Sequence, residues 1–572
     1  MGQVFTALTR DRRLPFVALA LALFRARQSK HGYHENILTA FSHLFTQNSY
    51  YLRIIGDVVG IYTIVACIRW LITLRRELRT LTFKRLKDTI GSDVADYLKQ
   101  IPIVKDKIAA EYAKVEKDLE KSLKDPEREQ RFELPSEGVP KEQILAKMRT
   151  LYGKEKSKWH DGWVSGAVYH GGDEHIEMQS EVFGLFNITN PLHPDIWPSV
   201  MQFEAEIVAM TSNLVNGGDK GVTGTMTSGG TESIIMAAKT HREWAYKERG
   251  ITRPEIVACV TAHAAIDKAC ELLNIKLVHV PMDESTCAVD PRVLEKYVTP
   301  DTIMIYASAP QYPHGVIDPV SALSEIAVRA GCGLHVDCCL GGFVLPFAKK
   351  LGYDIPEFDF SLPGVTSMSC DTHKYGYAAK GTSVVLYRSS QLRSYQYFSY
   401  PSWLGGVYVT PSTAGSRPGA LSACTWASMV AMGEKGFLAA TKKIMDTAAK
   451  IRKAVSEIEG IHIVGHAQAM IVAFGSTKFS IYMLADKMGH RGWSLNTLQR
   501  PAAVHICVTL PVVPNADRFI TDVRECTLEC LNDPNPTGKD DGHGRVYGAA
   551  SALPAGPVKD VLNTYTNVVL KV

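Results

Sequence analysis

The chain has 572 residues, enough for two or more domains with sizeable cores, and its 46% hydrophobic and 21% charged content is that of a folded globular protein. A formal net charge of +4 spread over such a length excludes the broad basic face of a nucleic-acid binder and the composition of a disordered chain. The twelve cysteines are scattered, form no CxxC pair and fall largely in apolar, strand-like runs. They predict free core thiols, a reducing compartment for everything after residue 75, and no metal centre.

Residues 14–24 form an apolar run of eleven residues between arginines, too short to span a bilayer and open to a signal-like or amphipathic reading. Met1-Gly2-Gln3-Val4-Phe5-Thr6 fits the myristoylation pattern formally. Residues 54–74 predict a transmembrane helix: 21 mostly apolar residues give about 31 Å, with Tyr50 and Tyr51 at one end and Trp70 near the other. Asp57 and Arg69 lie near the ends, where their heads reach water. The twenty residues before the run hold one Lys or Arg and the twenty after hold six, which orients the C-terminal bulk to the cytosol. Residues 86–158 are charged and helix-prone, and read as a linker and packing arm.

From residue 204 the pattern becomes regular. Helices are expected at 204–216, 234–247, 264–273, 291–298 and 319–330, and strands at 221–226, 256–261, 277–281, 302–308, 333–338, 365–369 and 383–387. This alternation predicts an α/β domain with a mainly parallel sheet. The link between the last two strands is too short for a helical crossover, so they pair antiparallel if adjacent. After a helix at 421–432, a smaller C-terminal domain follows: a helix at 437–458, strands at 461–464, 470–474 and 503–510, and a loop at 532–545. Trp493-Ser494-Leu495-Asn496 is a candidate lining for an apolar entrance.

Ligands of such sheets lie beyond the carboxyl ends of the strands, and four features fall there. Ser228-Gly229-Gly230-Thr231 opens a helix, as an anion cradle or as a plain glycine turn with a threonine cap. His263 follows a strand, as a ring to stack on a ligand or as a helix cap. Asp337 ends a strand, as a partner for a cationic ring nitrogen or as an N-cap. Lys374 ends another among small and polar residues, as a surface lysine or as an amine poised to lose its proton and attack a carbonyl. Together they supply what pyridoxal 5'-phosphate requires: a phosphate cradle, a stacking ring, an acid for the ring nitrogen and an amine for the aldehyde.

The chain resembles the sphingosine-1-phosphate lyase family of fold-type I pyridoxal-phosphate enzymes, related to the group II amino-acid decarboxylases. The likeness runs from the membrane segment to about residue 550. It rests on Asn190-Pro191-Leu192-His193-Pro194-Asp195, Thr227-Ser228-Gly229-Gly230-Thr231-Glu232-Ser233, Pro313-His314-Gly315-Val316-Ile317-Asp318-Pro319, His335-Val336-Asp337, Asp371-Thr372-His373-Lys374-Tyr375-Gly376-Tyr377 and Ala414-Gly415-Ser416-Arg417-Pro418-Gly419. Cys338-Cys339 and Ala378-Ala379 stand where Ala-Cys and Ala-Pro are expected, neither touching the chemistry.

The resemblance implies a large mixed-sheet domain at 190–435, a small α+β domain and tail at 436–572, an N-terminal segment at 1–53, a membrane helix at 54–74 and a cytosolic arm at 75–189. It implies that Lys374 holds the cofactor aldehyde, Asp337 keeps the ring nitrogen protonated and His263 stacks on the ring. Gly229, Gly230, Thr231 and His373 would bind the cofactor phosphate, with Ser416 contributed by the neighbouring subunit of a homodimer. Tyr169, His193 and Lys380 would take the substrate phosphate. The reaction implied is retro-aldol cleavage of a phosphorylated sphingoid base to a long-chain aldehyde and phosphoethanolamine, by a single-pass protein of the endoplasmic reticulum membrane with its catalytic part cytosolic. The base for the C3 hydroxyl stays open between a phosphate oxygen, His193 and Lys374. The rivals are a soluble amino-acid decarboxylase and a catalytically dead membrane scaffold.

Overall fold

The structure is a computed structural model that describes residues 63–64, 113–117, 119–121, 131–535 and 555–571. The chain divides into two compact units, Met1–Arg85 and Leu86–Val572. Of the first, only the helical Thr63 and Ile64 are described, so the rest of the expected membrane helix at 54–74, the run at 14–24 and the myristoylation pattern lie outside the described residues. Among the described residues no helix is long and apolar enough to cross a membrane.

In the second unit, helices α1 (Lys141–His160), α2 (Asp173–Phe186) and α3 (Pro198–Leu214) precede β1 (Thr223–Thr227). There follow α4 (Gly230–Arg249), β2 (Glu255–Cys259), α5 (Ala265–Leu273), β3 (Lys276–Val280), α6 (Pro291–Glu295), β4 (Thr302–Ser308), α7 (Val320–Ala330), β5 (Gly333–Asp337), α8 (Leu345–Lys350), β6 (Val365–Cys370) and β7 (Ser383–Tyr387). The seven strands form one sheet in the order β1-β7-β6-β5-β4-β2-β3. Strands β6, β5, β4, β2 and β3 run parallel, and β7 pairs antiparallel with both β1 and β6. The expected mainly parallel sheet with an antiparallel strand beside Lys374 is therefore present.

The strands read as continuous apolar runs because helices cover both faces; every residue of β2, β4, β5 and β7 is buried. Glu255, at the start of β2, is buried too, held by the Thr299 hydroxyl at 2.6 Å and Lys276 at 3.7 Å. All eleven cysteines among the described residues are free and buried.

After α9 (Ser390–Ser394), β8 (Phe398–Tyr400) and β9 (Tyr408–Thr410) make an antiparallel hairpin. The two helices expected at 421–432 and 437–458 are present as the two segments of α10 (Gly419–Ser456), which meet at a kink where Gly433 is not helical (φ 55°, ψ 174°). It leads to an antiparallel second sheet, β10-β11-β13-β12, built from β10 (His462–Ile463), β11 (Ile471–Gly475), β12 (Asn496–Leu498) and β13 (Ala503–Cys507). Helix α11 (Ile481–His490) packs on β13, α12 (Ala516–Leu531) packs against α11 and α10, and α13 (Ala555–Leu570) is the last helix described. Trp493 lines no entrance. It is buried, donates its indole N–H to Asp522 Oδ2 at 2.8 Å and meets Phe519 edge-on at 5.0 Å, because an indole between two helices finds both an apolar wall and an acceptor.

Candidate active site

The carboxyl ends of β1, β2, β4, β5 and β6 open onto one edge of the large sheet. A cavity of about 360 Å³ there is lined by Gly229, Gly230, Thr231, His263, Asp337, His373 and Lys374, with Ser228, Tyr312, Cys339 and Asp371. Seven residues singled out from sequence thus meet in one place. Ser416 and His193 do not line it. The Ser416 hydroxyl accepts from Asn190 Nδ2 at 3.1 Å, and His193 lies three residues along the same Asn190 loop.

The cradle is set by backbone shape. Gly229 has φ 149° and ψ 171°, a conformation open in practice to glycine alone, and it turns the chain from β1 into α4. At Gly230 a Cβ would lie 2.7 Å from Cys339 Sγ and 2.8 Å from both carboxylate oxygens of Asp371. The first-turn amides of this twenty-residue helix lack intrahelical partners. Glu232 takes one neighbour, accepting from Ser228 N at 2.6 Å, and its other oxygen accepts from Thr413 N at 3.1 Å.

Asp337 is buried at the end of β5 and accepts from the Tyr306 hydroxyl (2.5 Å), Cys339 N (3.0 Å) and the Ser369 hydroxyl (3.4 Å). Burial opposes its charge, but His263, those donors and Lys374 outweigh that and hold its pKa below the ordinary value. His263 Nδ1 accepts from Ala265 N at 3.1 Å at the start of α5, as its capping alternative expects, and the residue also lines the cavity.

Lys374 departs from expectation. Its Nζ lies 2.9 Å from Asp371 Oδ2. Burial pushes its pKa down, but Asp371, Cys339 and Tyr169 together override this and raise it above the usual lysine range. In the chain alone the amine is held as an ammonium. The sequence reading weighed Lys374 without the carboxylate three residues before it. His373 accepts from Thr382 N through Nδ1 at 3.2 Å, and burial lowers its pKa.

A second cavity, of about 510 Å³, shares His373 with the first and is lined by Tyr169, Lys380, Ile176, Phe183, Ala378 and Ala379 among others. Ala379, one of the departures from the family pattern, is thus beside the site after all. Lys380 Nζ stands 4.5 Å above the ring of the buried Tyr169 and donates to the His373 carbonyl at 3.3 Å. Although the residue as a whole is exposed, burial around its head and the neighbouring Lys374 lower its pKa to about 8. Tyr169 is kept neutral, its pKa raised by burial first. Tyr306, Asp371, Tyr312 and Cys339 were not singled out from sequence; only Asp371 carried a signal, its i−3 spacing from Lys374.

The donor set suits pyridoxal phosphate: helix amides at a glycine cradle for phosphate, a buried carboxylate for a ring N–H, a flat imidazole, and an amine within the same cavity. Fold and site define a pyridoxal-phosphate enzyme, and residues 126–477 match the pyridoxal-dependent decarboxylase conserved domain. A glutamate decarboxylase of Lactobacillus brevis has the same fold at 20% identity (TM-score 0.62, covering 71% of this chain and 96% of that one). The sphingosine-1-phosphate lyase of Burkholderia pseudomallei superposes with TM-score 0.70 at 42% identity, covering 71% of this chain and 94% of that one. That of Dictyostelium discoideum is 44% identical over 83% of this chain and 89% of its own length. The chain belongs to the sphingosine-1-phosphate lyase family.

Proposed function

We propose that this chain cleaves the C2–C3 bond of sphingosine 1-phosphate and related phosphorylated long-chain bases, yielding a long-chain aldehyde and phosphoethanolamine. The observation that carries this reading is the meeting of two cavities at His373, one holding Lys374 and Asp337, the other Lys380 over Tyr169. An amino-acid decarboxylase has no use for the second cation. Pyridoxal phosphate, when bound, supplies the sink for the electron pair left at C2.

The chain's own residues do the rest. Lys374 would hold the cofactor through its aldehyde, and Asp337 would keep the proton on the ring nitrogen. His263 covers the ring, and Gly229, Gly230, Thr231 and His373 take the cofactor phosphate. Lys380 and Tyr169 take the substrate phosphate. Ile176, Phe183 and Ala378 give this second cavity an apolar wall.

The active form is a homodimer in which Ser416 and His193 serve the partner's site. Both lie outside their own chain's cavity, and the apolar surface near them supports this: Leu185, Ile188 and Ile196 flank the Asn190 loop, and Phe398, Leu404, Val407 and Val409 stand exposed on the β8–β9 hairpin. Residues 54–74 anchor the chain in the endoplasmic reticulum membrane, with the catalytic part cytosolic, a reading carried by the length of the run and the arginines after it.

Purified protein assayed for aldehyde release from sphingosine 1-phosphate and for carbon dioxide release from amino acids decides between lyase and decarboxylase. Release of carbon dioxide alone overturns the proposal. A visible cofactor absorbance that survives Lys374→Ala overturns the cofactor assignment. Light scattering of the purified protein tests the dimer, and protease protection in microsomes tests the topology.

A further inference from the structure

The turn that carries Lys380 away from Lys374 is fastened by side chains given no role above, two of which, His175 and Gln179, stand in the wall of the second cavity. Gly376 lies against Thr372, where a Cβ would meet the Thr372 carbonyl oxygen at 2.5 Å. Tyr377 then takes φ 59°, a left-handed conformation that a non-glycine residue rarely holds without support from its surroundings.

The support is visible on the two carbonyls this conformation presents. The Tyr377 carbonyl accepts from Gln179 Nε2 at 2.7 Å and stands 2.7 Å from His175 Nε2, which is itself 2.6 Å from Gln179 Nε2, both residues on α2. The Gly376 carbonyl accepts from the Ser428 hydroxyl on α10 at 3.0 Å. The imidazole of His175 is itself braced, stacked on His170 at 4.2 Å, and His170 Nδ1 accepts from Gly172 N at 3.2 Å. The Tyr377 ring lies flat on Phe437 of α10 at 5.8 Å.

On its other side the turn is tied to the lysine loop by Ala378 N to the Thr372 carbonyl (3.0 Å) and by the Thr372 and Thr382 hydroxyls (2.8 Å). Lys380 leaves between these two fastenings, three residues after Tyr377. We propose that His175 and Gln179 of α2, with Ser428 of α10, are positioning residues: they clamp the Gly376–Tyr377 carbonyls and thereby fix the Lys380 ammonium over Tyr169, at the distance from Lys374 that a phosphorylated substrate requires. They act through Lys380: His175 and Gln179 share the wall of the second cavity with Lys380 and Tyr169 and do not line the cavity of Lys374 and Asp337. This inference rests on the proposed role of Lys380.

The experiment is a double-mutant cycle on the holoenzyme. Gln179→Leu and His175→Leu are each made alone and with Lys380→Ala. Two quantities are read: the KM and kcat for sphingosine 1-phosphate, and the inhibition constant or spectroscopic dissociation constant of inorganic phosphate. Each single variant is expected to keep the cofactor absorbance and a kcat within about twofold, while KM and the phosphate constant rise roughly fivefold to tenfold, the loss of one or two hydrogen bonds. In the Lys380→Ala background neither substitution adds a further rise, and His175→Gln, which keeps a donor, recovers most of the loss.

A rise that persists undiminished without Lys380, or a fall in kcat at constant KM, overturns the proposal. If both leucine variants fail to fold, Ser428→Ala carries the same cycle with the same outcomes. Should the wild-type protein not cleave sphingosine 1-phosphate, the functional reading fails, and the phosphate titration still decides whether the clamp acts through Lys380.

Discussion

Lys374 Nζ lies 2.9 Å from Asp371 Oδ2, while the buried Asp371 Oδ1 has no hydrogen-bond partner among the described residues. The lysine meant for the cofactor is thus paired within its own turn, and the spare oxygen leaves that carboxylate room for a further donor.

Replacing Asp371 by Asn separates the two effects acting on this lysine. The folded pKa of Lys374 is above its ordinary 10.5, so the pair contributes stability that is full below about pH 10 and is lost only as pH rises through the raised value. Asp371→Asn removes the main raising influence and leaves burial opposed by Cys339 and Tyr169 alone, so the pKa falls from its raised value. Cofactor-free protein carrying the change is expected to lose about 1.5–3 kcal/mol in urea denaturation at pH 7. It should also react faster than wild type with added pyridoxal phosphate, followed by absorbance. A slower reaction at unchanged stability contradicts the argument.

Lys380 titrates in the assay range. Its pKa is lowered to about 8, so its positive charge fades as pH rises through 8. KM for a phosphorylated substrate should climb above pH 8 with kcat less affected. Lys380→Arg, which stays charged, should flatten that climb. A KM profile that is the same in both proteins rules the assignment out.

Gly230→Ala forces a methyl group to within 2.8 Å of Cys339 Sγ and the Asp371 carboxylate. Overpacking at such a site costs about 1–3 kcal/mol, and the strain falls on the phosphate cradle. Cofactor affinity should weaken roughly tenfold or more while the far-ultraviolet spectrum stays native. Unchanged affinity in an equilibrium titration would show that the cradle yields freely.

Tyr306→Phe deletes the 2.5 Å donor to Asp337 and nothing else in shape. The pKa of Asp337, held below its ordinary value, should then rise, because one of the groups favouring the carboxylate is gone. The acid limb of the activity profile is expected to move to higher pH, with a stability loss of about 1.5–3 kcal/mol. An acid limb that stays in place would falsify the link between Tyr306 and Asp337.

The large sheet was legible because fully buried strands leave continuous apolar runs bounded by helical periodicity; Thr302–Ser308 and Ser383–Tyr387 coincide with their expected bounds. The cavity was legible because glycine, histidine, aspartate and lysine at strand ends are chemically specific. Asp371 was passed over because a carboxylate in a polar turn looks solvated until the fold buries it. The break of α10 at Gly433 was legible as a gap between two helical patterns, whereas the burial of Trp493 depends on which faces meet in space, and local pattern does not encode that. His193 and Ser416 carry local signals as strong as the others, yet the fold holds both outside their own chain's cavity.

The antiparallel pairing of β6 with β7 has a consequence for how the protein comes to be made. Residues 371–382 alone separate these strands, so Lys374 and Lys380 ride on a hairpin whose ends close over a short loop at small entropic cost. Asp337, His263 and the Gly229–Thr231 cradle reach the same spot only through pairings distant along the chain. The lysine turn is therefore the part of the site that can assemble early and locally, with the cradle, acid and ring gathered around it as the sheet fills in.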